Sequence, residues 1–222
     1  MSELLIEQRS DAWFELRKGK ITSSEIYKIM GNGRKEDGLT ETAKTYLLER
    51  VSEILGGSPN VSYPTGAKPA ALEWGTELED VAIQYYNEAN NLEVQKASFI
   101  PVNEHYGGSP DGLLPPKGII EVKCPFSSAN HFKHGLIKDE NDFKKVAPNY
   151  YYQCMSNIIC ADADWCDFIS FDPRVESKYK MFVYRLHRNQ EEVDNINNKL
   201  EIAVKYMKEL LEKLENTNKV PE

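Results

Sequence analysis

The sequence predicts one α/β or α+β domain: a central mixed β-sheet flanked by helices, with a long helix at the C-terminal end. Three observations carry this. Apolar residues at helical spacing dominate both ends of the 222-residue chain. Short β-branched and aromatic runs, punctuated by Gly and Pro, fill the middle. One set of connections serves all of these pieces, so helices flanking four or five strands form a single domain over 1–222 rather than two. A chain of this length buries roughly 70% of the surface its unfolded form exposes, enough for one sizeable core.

Thr22-Ser-Ser-Glu25 has capping-box spacing and is expected to open a helix that stops at Gly31. Residues 31–38, rich in glycine and charge, read as a mobile loop. From Thr40, the apolar residues Ala43, Tyr46, Leu47, Val51, Ile54 and Leu55 keep helical spacing until Gly56-Gly57 ends the run. This makes residues 1–60 an N-terminal helical part. Pro69 suits the first position of a further helix through Trp74, Leu78, Val81, Ala82, Tyr85 and Tyr86. Strand-like pieces follow at Val94–Ile100, Tyr106–Ser109 and Ile119–Cys124. Pro148 then opens a helix through Tyr151, Met155, Ile158 and Ile159. Two more strands, Trp165–Phe171 and Tyr179–Leu186, flank a turn at Asp172-Pro173, so 69–172 reads as the core unit. Asn189 caps the last helix, 189–216. Its seam Val193, Ile196, Leu200, Ala203, Met207, Leu210 and Leu214 alternates three and four apart, which fits a helix laid on the domain better than a free coiled coil.

The hydrophobic and charged fractions, 41% and 28%, are ordinary and exclude a collagenous, disordered or disulfide-dense chain. No run approaches 18 apolar residues, so no transmembrane helix is expected, and Met1–Gln8 shows no signal-peptide pattern. The expected compartment is the cytoplasm. Cys124, Cys154, Cys160 and Cys166 form no C-x-x-C pair. Buried thiols are the preferred reading, and iron–sulfur or zinc ligation is the alternative. The net charge of −8 argues against loose binding along DNA, but its distribution is uneven. Residues 61–123 hold 4 basic and 9 acidic side chains, so that region is the place for a bound cation.

The chemistry concentrates in Gly107-Gly-Ser-Pro-Asp-Gly112 and Gly118-Ile-Ile-Glu-Val-Lys-Cys-Pro125. Asp111 sits at a bend between proline and glycine. Glu121 and Lys123 project to one face of an apolar strand, with Ile120, Val122 and Cys124 on the other. A carboxylate and an ammonium buried there need partners, and Mg²⁺ between Asp111 and Glu121 supplies one. The plain alternative is an Asp turn followed by a strand with a solvated Glu–Lys face. Upstream, Glu73, Glu77, Glu79 and Asp80 offer one further metal-facing carboxylate; Glu73, Glu77 and Asp80 read as solvated. His131 and His134, three apart, read as surface or capping histidines, and Tyr150–Tyr152 as packing.

Ser109-Pro-Asp-Gly and Glu121-Val-Lys-Cys-Pro-Phe resemble the lambda exonuclease (YqaJ-type viral recombinase) family of restriction-endonuclease-like PD-(D/E)xK nucleases. Trp13-Phe-Glu-Leu-Arg-Lys-Gly-Lys-Ile-Thr-Ser-Ser-Glu25, Trp74-Gly-Thr-Glu-Leu-Glu79, Tyr150-x-x-Gln153 and Asp172-Pro-Arg174 match further family segments in the right order. Ser23, where alanine is more usual, and Pro115-Pro116 depart from the pattern without removing a proposed ligand.

The resemblance implies a restriction-endonuclease-like core. It assigns Asp111, Glu121 and the Val122 carbonyl as metal ligands, Glu79 to a second metal, and Lys123 and Gln153 to the nucleophilic water or scissile phosphate. It assigns Arg17, Ser24 and Ser109 to the 5′-phosphate of the digested strand; a guanidinium fork with two hydroxyls is a sound anion site. The implied activity is a Mg²⁺-dependent 5′→3′ exodeoxyribonuclease with two ions per site, Mn²⁺ being a plausible substitute. It degrades one strand of linear double-stranded DNA to 5′-mononucleotides and leaves 3′ tails for phage-type recombination. A ring-shaped homotrimer, a single-strand annealing partner, and a phage or prophage origin in a bacterial cytoplasm are also implied. The rivals are a structure- or sequence-specific endonuclease of the same fold, an iron–sulfur DNA exonuclease using the cysteines, and a DNA-end binding module with a decayed site.

Overall fold

The computed structural model describes residues 6–34, 36–57 and 69–217; Glu3, Lys35 and the boundary at residue 60 lie outside them. In chain order the elements are α1 (Asp11–Arg17), β1 (Ile21–Thr22), a 3₁₀ helix (Ser23–Ile29), α2 (Glu41–Ile54) and α3 (Pro69–Asn90). Then come β2 (Ile100–Pro101), β3 (Tyr106–Gly108), β4 (Gly112–Leu114), β5 (Gly118–Lys123), α4 (Ser128–His134), α5 (Glu140–Val146) and α6 (Pro148–Cys160). The chain ends with β6 (Trp165–Phe171), a 3₁₀ turn (Ser177–Tyr179), β7 (Met181–His187) and α7 (Gln190–Thr217).

The expected sheet is mixed but comes in two pieces. Four strands run in the order β4-β5-β6-β7, with β5 and β6 parallel and the outer pairings antiparallel. A three-stranded sheet, β1-β3-β2, stands beside it. The run Val94–Ile100 makes little strand: Gln95 bridges to Leu113, and only Ile100 pairs regularly, opposite Gly108. Glycines and prolines in the partner segments explain why these strands are short.

Strand β5 is buried along its length, and its two faces meet different layers. Ile120 and Val122 pack with Ala82 and Tyr86 of α3, together with Ile169 and Phe171. Ile119 joins the larger cluster, where α6, α2, the first 3₁₀ helix and α7 contribute Tyr151, Met155, Ile158, Tyr46, Leu47, Ile26 and Ile196.

Thr40 caps α2 by accepting from the Ala43 N–H at 3.1 Å, and Asn189 caps α7 through the N–H groups of Glu191 and Glu192. The segment opened by Thr22 is a 3₁₀ helix instead of an α-helix. Its expected capping box does not form: the Thr22 hydroxyl meets Ser24 Oγ at 3.2 Å, and Glu25 turns to Lys28 at 2.6 Å. Helix α7 lies along α2 and α6, burying Val193, Ile196, Leu200, Ala203 and Met207, while Leu214 near its end is 42% exposed. No helix of the described residues is long and apolar enough to cross a membrane.

His131 and His134 are buried structural groups, not surface or capping residues. Both Nδ1 atoms lie 2.9 Å from the Ser170 hydroxyl of β6, and His131 Nε2 lies 2.8 Å from the Tyr179 carbonyl. A carbonyl only accepts, so His131 carries its proton on Nε2. Its Nδ1 then accepts from the Ser170 hydroxyl, which in turn accepts from the Nδ1–H of His134. Burial is the main cause that lowers the His134 pKa to about 4.

Two outcomes follow from this packing. Ile196→Ala, in the fully buried seam, should cost about 2–5 kcal/mol in urea unfolding, while Leu214→Ala should stay within about 0.5 kcal/mol of the parent. Because His134 is neutral in the folded protein and takes up a proton on unfolding, its contribution is present above its ordinary pKa near 6.5 and is lost as pH falls towards 4. Comparing unfolding of the parent and His134→Gln between pH 7 and 4 should show the parent losing up to about 3 kcal/mol more.

Candidate active site

The centre of the site is Glu121 on β5, whose side chain is completely buried. It projects to the face covered by α6, and four-residue spacing on that helix brings two amides to it. Glu121 Oε1 accepts from Lys123 Nζ at 2.5 Å and from Gln153 Nε2 at 2.6 Å; Oε2 accepts from Asn157 Nδ2 at 2.8 Å. Lys123 shares the face of Glu121, as two-residue periodicity requires, and its ammonium lies 5.2 Å from the Tyr150 ring centroid.

Asp111 is latched beside it. The pairing of β4 with β5 ends at Gly112 opposite Ile120, which frees the next part of β5 for the bend. Asp111 N–H donates to the Ile120 carbonyl at 3.1 Å, and Asp111 Oδ2 accepts from Val122 N–H at 2.6 Å. The N–H and C=O of one strand residue face the same neighbour, so the Val122 carbonyl also faces the Asp111 side.

Burial, the Glu121 charge and, more weakly, Glu79 push the Asp111 carboxyl well above its ordinary pKa, against the opposing pull of Lys123. Glu121 is also raised by burial, with Lys123 countering it. For Lys123 the attraction of the two carboxylates outweighs desolvation, so its ammonium is held above its usual range. The group is therefore a carboxylate pair with a permanent cation beside it.

A second pocket forms where α1 meets the 3₁₀ helix and β3. Ser10 caps α1, and Arg17 in its last turn lays its guanidinium 4.1 Å from the Trp13 ring centroid. Arg17 Nη1 reaches Ser109 Oγ at 3.4 Å and Nη2 reaches Ser24 Oγ at 3.3 Å, while Trp13 Nε1 donates to Ser109 Oγ at 3.1 Å. Burial lowers the Arg17 pKa to about 10, which leaves it charged at neutral pH. Gly19, at φ +70°, makes the turn between α1 and β1 and gives its N–H to Glu53 at 2.8 Å.

Both groups open on one cleft of about 550 Å³, lined by Arg17, Ser24, Glu79, Val122, Lys123 and Gln153 among others. Asp111, Glu121 and Ser109 lie directly behind that lining, bonded to Val122, Lys123 and Arg17. Glu79 lines the same cleft and acts on both carboxyls through its charge. It binds Arg9 Nη2 at 2.6 Å, and Arg9 reaches it from a left-handed backbone position at φ 68°. Among the described residues no three His, Cys, Asp or Glu side chains group as a metal site, so the converging donors are two carboxylates and a carbonyl.

Glu73, Glu77 and Asp80 are exposed, as expected, and Tyr151 is packed in the core. Tyr150 stacks on Phe168 and also lines the cleft. Cys154, Cys160 and Cys166 are buried free thiols, and Cys124 is partly exposed. Sequence reasoning missed three participants: Trp13, Asn157 and Arg9. Trp13 stood inside the matched segment as an unassigned aromatic, and Asn157 stood four residues beyond Gln153. No pattern marked Arg9.

A protein-family model described as the YqaJ-like viral recombinase domain matches residues 12–164. The structure is similar to an alkaline exonuclease, LHK-Exo, from Laribacter hongkongensis, with a TM-score of 0.78 and 25% identity over 94% of this chain and 97% of that one. A structure of LHK-Exo in complex with dAMP matches with a TM-score of 0.79 and 26% identity over the same shares. A phage related exonuclease from Haemophilus somnus 129PT shares the fold at a TM-score of 0.69 and 21% identity, over 88% of this chain and 96% of that one. No curated protein matches by sequence. The fold is that of the restriction-endonuclease-like alkaline exonucleases.

Proposed function

The chain belongs to the YqaJ-like viral recombinase domain family, and from that premise we propose that it is a Mg²⁺-dependent 5′→3′ exodeoxyribonuclease acting on linear double-stranded DNA. One observation carries the reading: a single cleft joins a carboxylate pair, Asp111 and the buried Glu121, and its ammonium to a guanidinium–hydroxyl pocket suited to a terminal phosphate. The likeness to an alkaline exonuclease, one of whose structures holds dAMP, supports hydrolysis to 5′-mononucleotides.

Asp111, Glu121 and the Val122 carbonyl are the groups for one Mg²⁺ ion, with Glu79 serving a second and Mn²⁺ an acceptable substitute. They fit: all are hard oxygen donors, and the raised pKa of the buried Glu121 and half-buried Asp111 carboxyls marks negative charge that a cation relieves. Such ions supply an acidified water and a counter-charge for the phosphate. Lys123, whose ammonium the two carboxylates hold above its usual range, donates to the attacking water or a phosphate oxygen and opposes the charge that builds there. Gln153 gives its amide nitrogen to Glu121, which leaves its carbonyl oxygen to accept from that water.

Arg17, Ser24 and Ser109 hold the 5′-phosphate. The Trp13 ring supports the guanidinium from behind, and its N–H orients the Ser109 hydroxyl. On this reading the strand bearing that phosphate is removed, leaving a 3′ tail for recombination. A homotrimeric ring around the product and a single-strand annealing partner are proposed on family grounds alone.

A linear duplex labelled on one strand, with and without a 5′-phosphate, tests these assignments together. Mg²⁺-dependent release of mononucleotides from the 5′ end is expected, with circular duplex resistant; cutting of circles would support the endonuclease reading instead. Lys123→Ala should lower kcat by on the order of 10²–10³-fold or more while DNA binding in Ca²⁺ survives. Asp111→Asn should behave likewise. Arg17→Ala should erode the preference for phosphorylated ends more than hydrolysis of unphosphorylated ones.

A further inference from the structure

We propose that Asn157 is a positioning residue that decides which oxygen of Glu121 faces the bound cation; the inference rests on the metal-dependent reading above. An ionised carboxylate offers about four lone-pair positions, two on each oxygen. On Glu121, Oε1 receives both Lys123 and Gln153 and is filled. Among the described residues Oε2 receives Asn157 alone and keeps one position. Glu121 thus ligates through Oε2, along the direction that Asn157 leaves open. Without this amide the carboxylate can turn and share Lys123 and Gln153 between its two oxygens, and neither then has a defined free position.

The placement of Asn157 shows that this role costs something elsewhere. The residue is completely buried in α6. A carboxylate accepts only from the amide nitrogen, so Oδ1 must face the opposite way, where it has no hydrogen-bond partner among the described residues. An unpaired buried carbonyl is destabilising, and an apolar side chain would avoid it. Space for the amide comes from Gly108: a Cβ there would lie 2.4 Å from Asn157 Oδ1 and 2.3 Å from Ser23 Oγ. Gly108 immediately precedes Ser109, so the strand that admits the amide also carries the end-phosphate pocket.

Calorimetric titration of the full chain with Ca²⁺ tests the assignment, using the parent, Asn157→Ala and Asn157→Val, with Asp111→Asn to identify the site. Both Asn157 variants should bind Ca²⁺ roughly ten- to a hundredfold more weakly, as expected when a group that orients a metal ligand is removed. The Mg²⁺ concentration for half-maximal rate should rise in step, with saturating Mg²⁺ restoring much of kcat, and with KM for DNA and 5′-phosphate preference unchanged. A purely structural role would not produce that split. Parental Ca²⁺ affinity in a variant with parental circular dichroism overturns the proposal. Recovery of affinity in Asn157→Val but not Asn157→Ala also overturns it, because valine restores bulk without a donor. A parent that binds no Ca²⁺ overturns the metal reading, and this inference with it.

Discussion

A fully desolvated carboxylate on the second strand of a mixed sheet sets the terms for everything around it. Removing Glu121 from water costs on the order of several kcal/mol, and the ammonium of Lys123 with the amides of Gln153 and Asn157 offsets that cost. Two of those three donors come from α6, so α6 must lie across β5. The topology makes this follow from the strand order. β5 and β6 are parallel neighbours, and a parallel pair needs a long crossover that packs back on the sheet. That crossover contains α4, α5 and α6. The segment that joins the two central strands is thus the one that satisfies the buried charge.

The same constraint changes the meaning of the net charge of −8. Five of those excess negatives lie between residues 61 and 123, the region of Glu79, Asp111 and Glu121. Two of these three pair with a cationic side chain, Glu121 with Lys123 and Glu79 with Arg9, whereas the Asp111 carboxylate accepts from the Val122 N–H. The cleft itself presents Arg9, Arg17, Lys18 and Lys123. A chain of net negative charge disfavours loose binding along duplex DNA, while the cations that line this cleft favour entry of a phosphate, because field lines concentrate in clefts.

Elements whose apolar periodicity ran uninterrupted were legible. The strand Trp165–Phe171, the helix opened by Pro148, the Thr40 cap and the α7 seam all stand where local pattern places them. Pattern failed where side chains had a choice of partner. Thr22 and Glu25 can form a capping box, but Ser24 and Lys28 capture them and the segment tightens into a 3₁₀ helix. Val94–Ile100 has strand composition, yet its neighbours are too rich in glycine to offer a ladder. The histidines at 131 and 134 looked external because polarity suggests exposure; one hydroxyl on β6 makes their burial affordable. In the site, Arg17, Ser24, Glu79, Lys123 and Gln153 of the recognised segments line one cleft. Ser109, Asp111 and Glu121 are bonded behind it, whereas Asp172 and Arg174 lie outside it. Asn157 and Arg9 act through long-range contacts to positions 36 and 70 residues away, which no local spacing encodes.

How the two halves of the cleft relate follows from the chain itself. Ser109 touches Arg17, and Asp111 touches Val122, with only Pro110 between them. Two residues of extended chain span at most about 7 Å, and proline at the middle position stiffens that span. A second tether runs from the 3₁₀ helix to α6: Ser156 Oγ donates to Ser23 Oγ at 2.8 Å, one residue from Ser24 on one side and one from Asn157 on the other. These two links tie the Arg17–hydroxyl pocket closely to the carboxylate pair. On the proposed reading, that spacing places the hydrolysed bond on the order of one nucleotide step from the held phosphate. The product length is then set by a rigid dipeptide link and a buried hydroxyl pair rather than by recognition of any base.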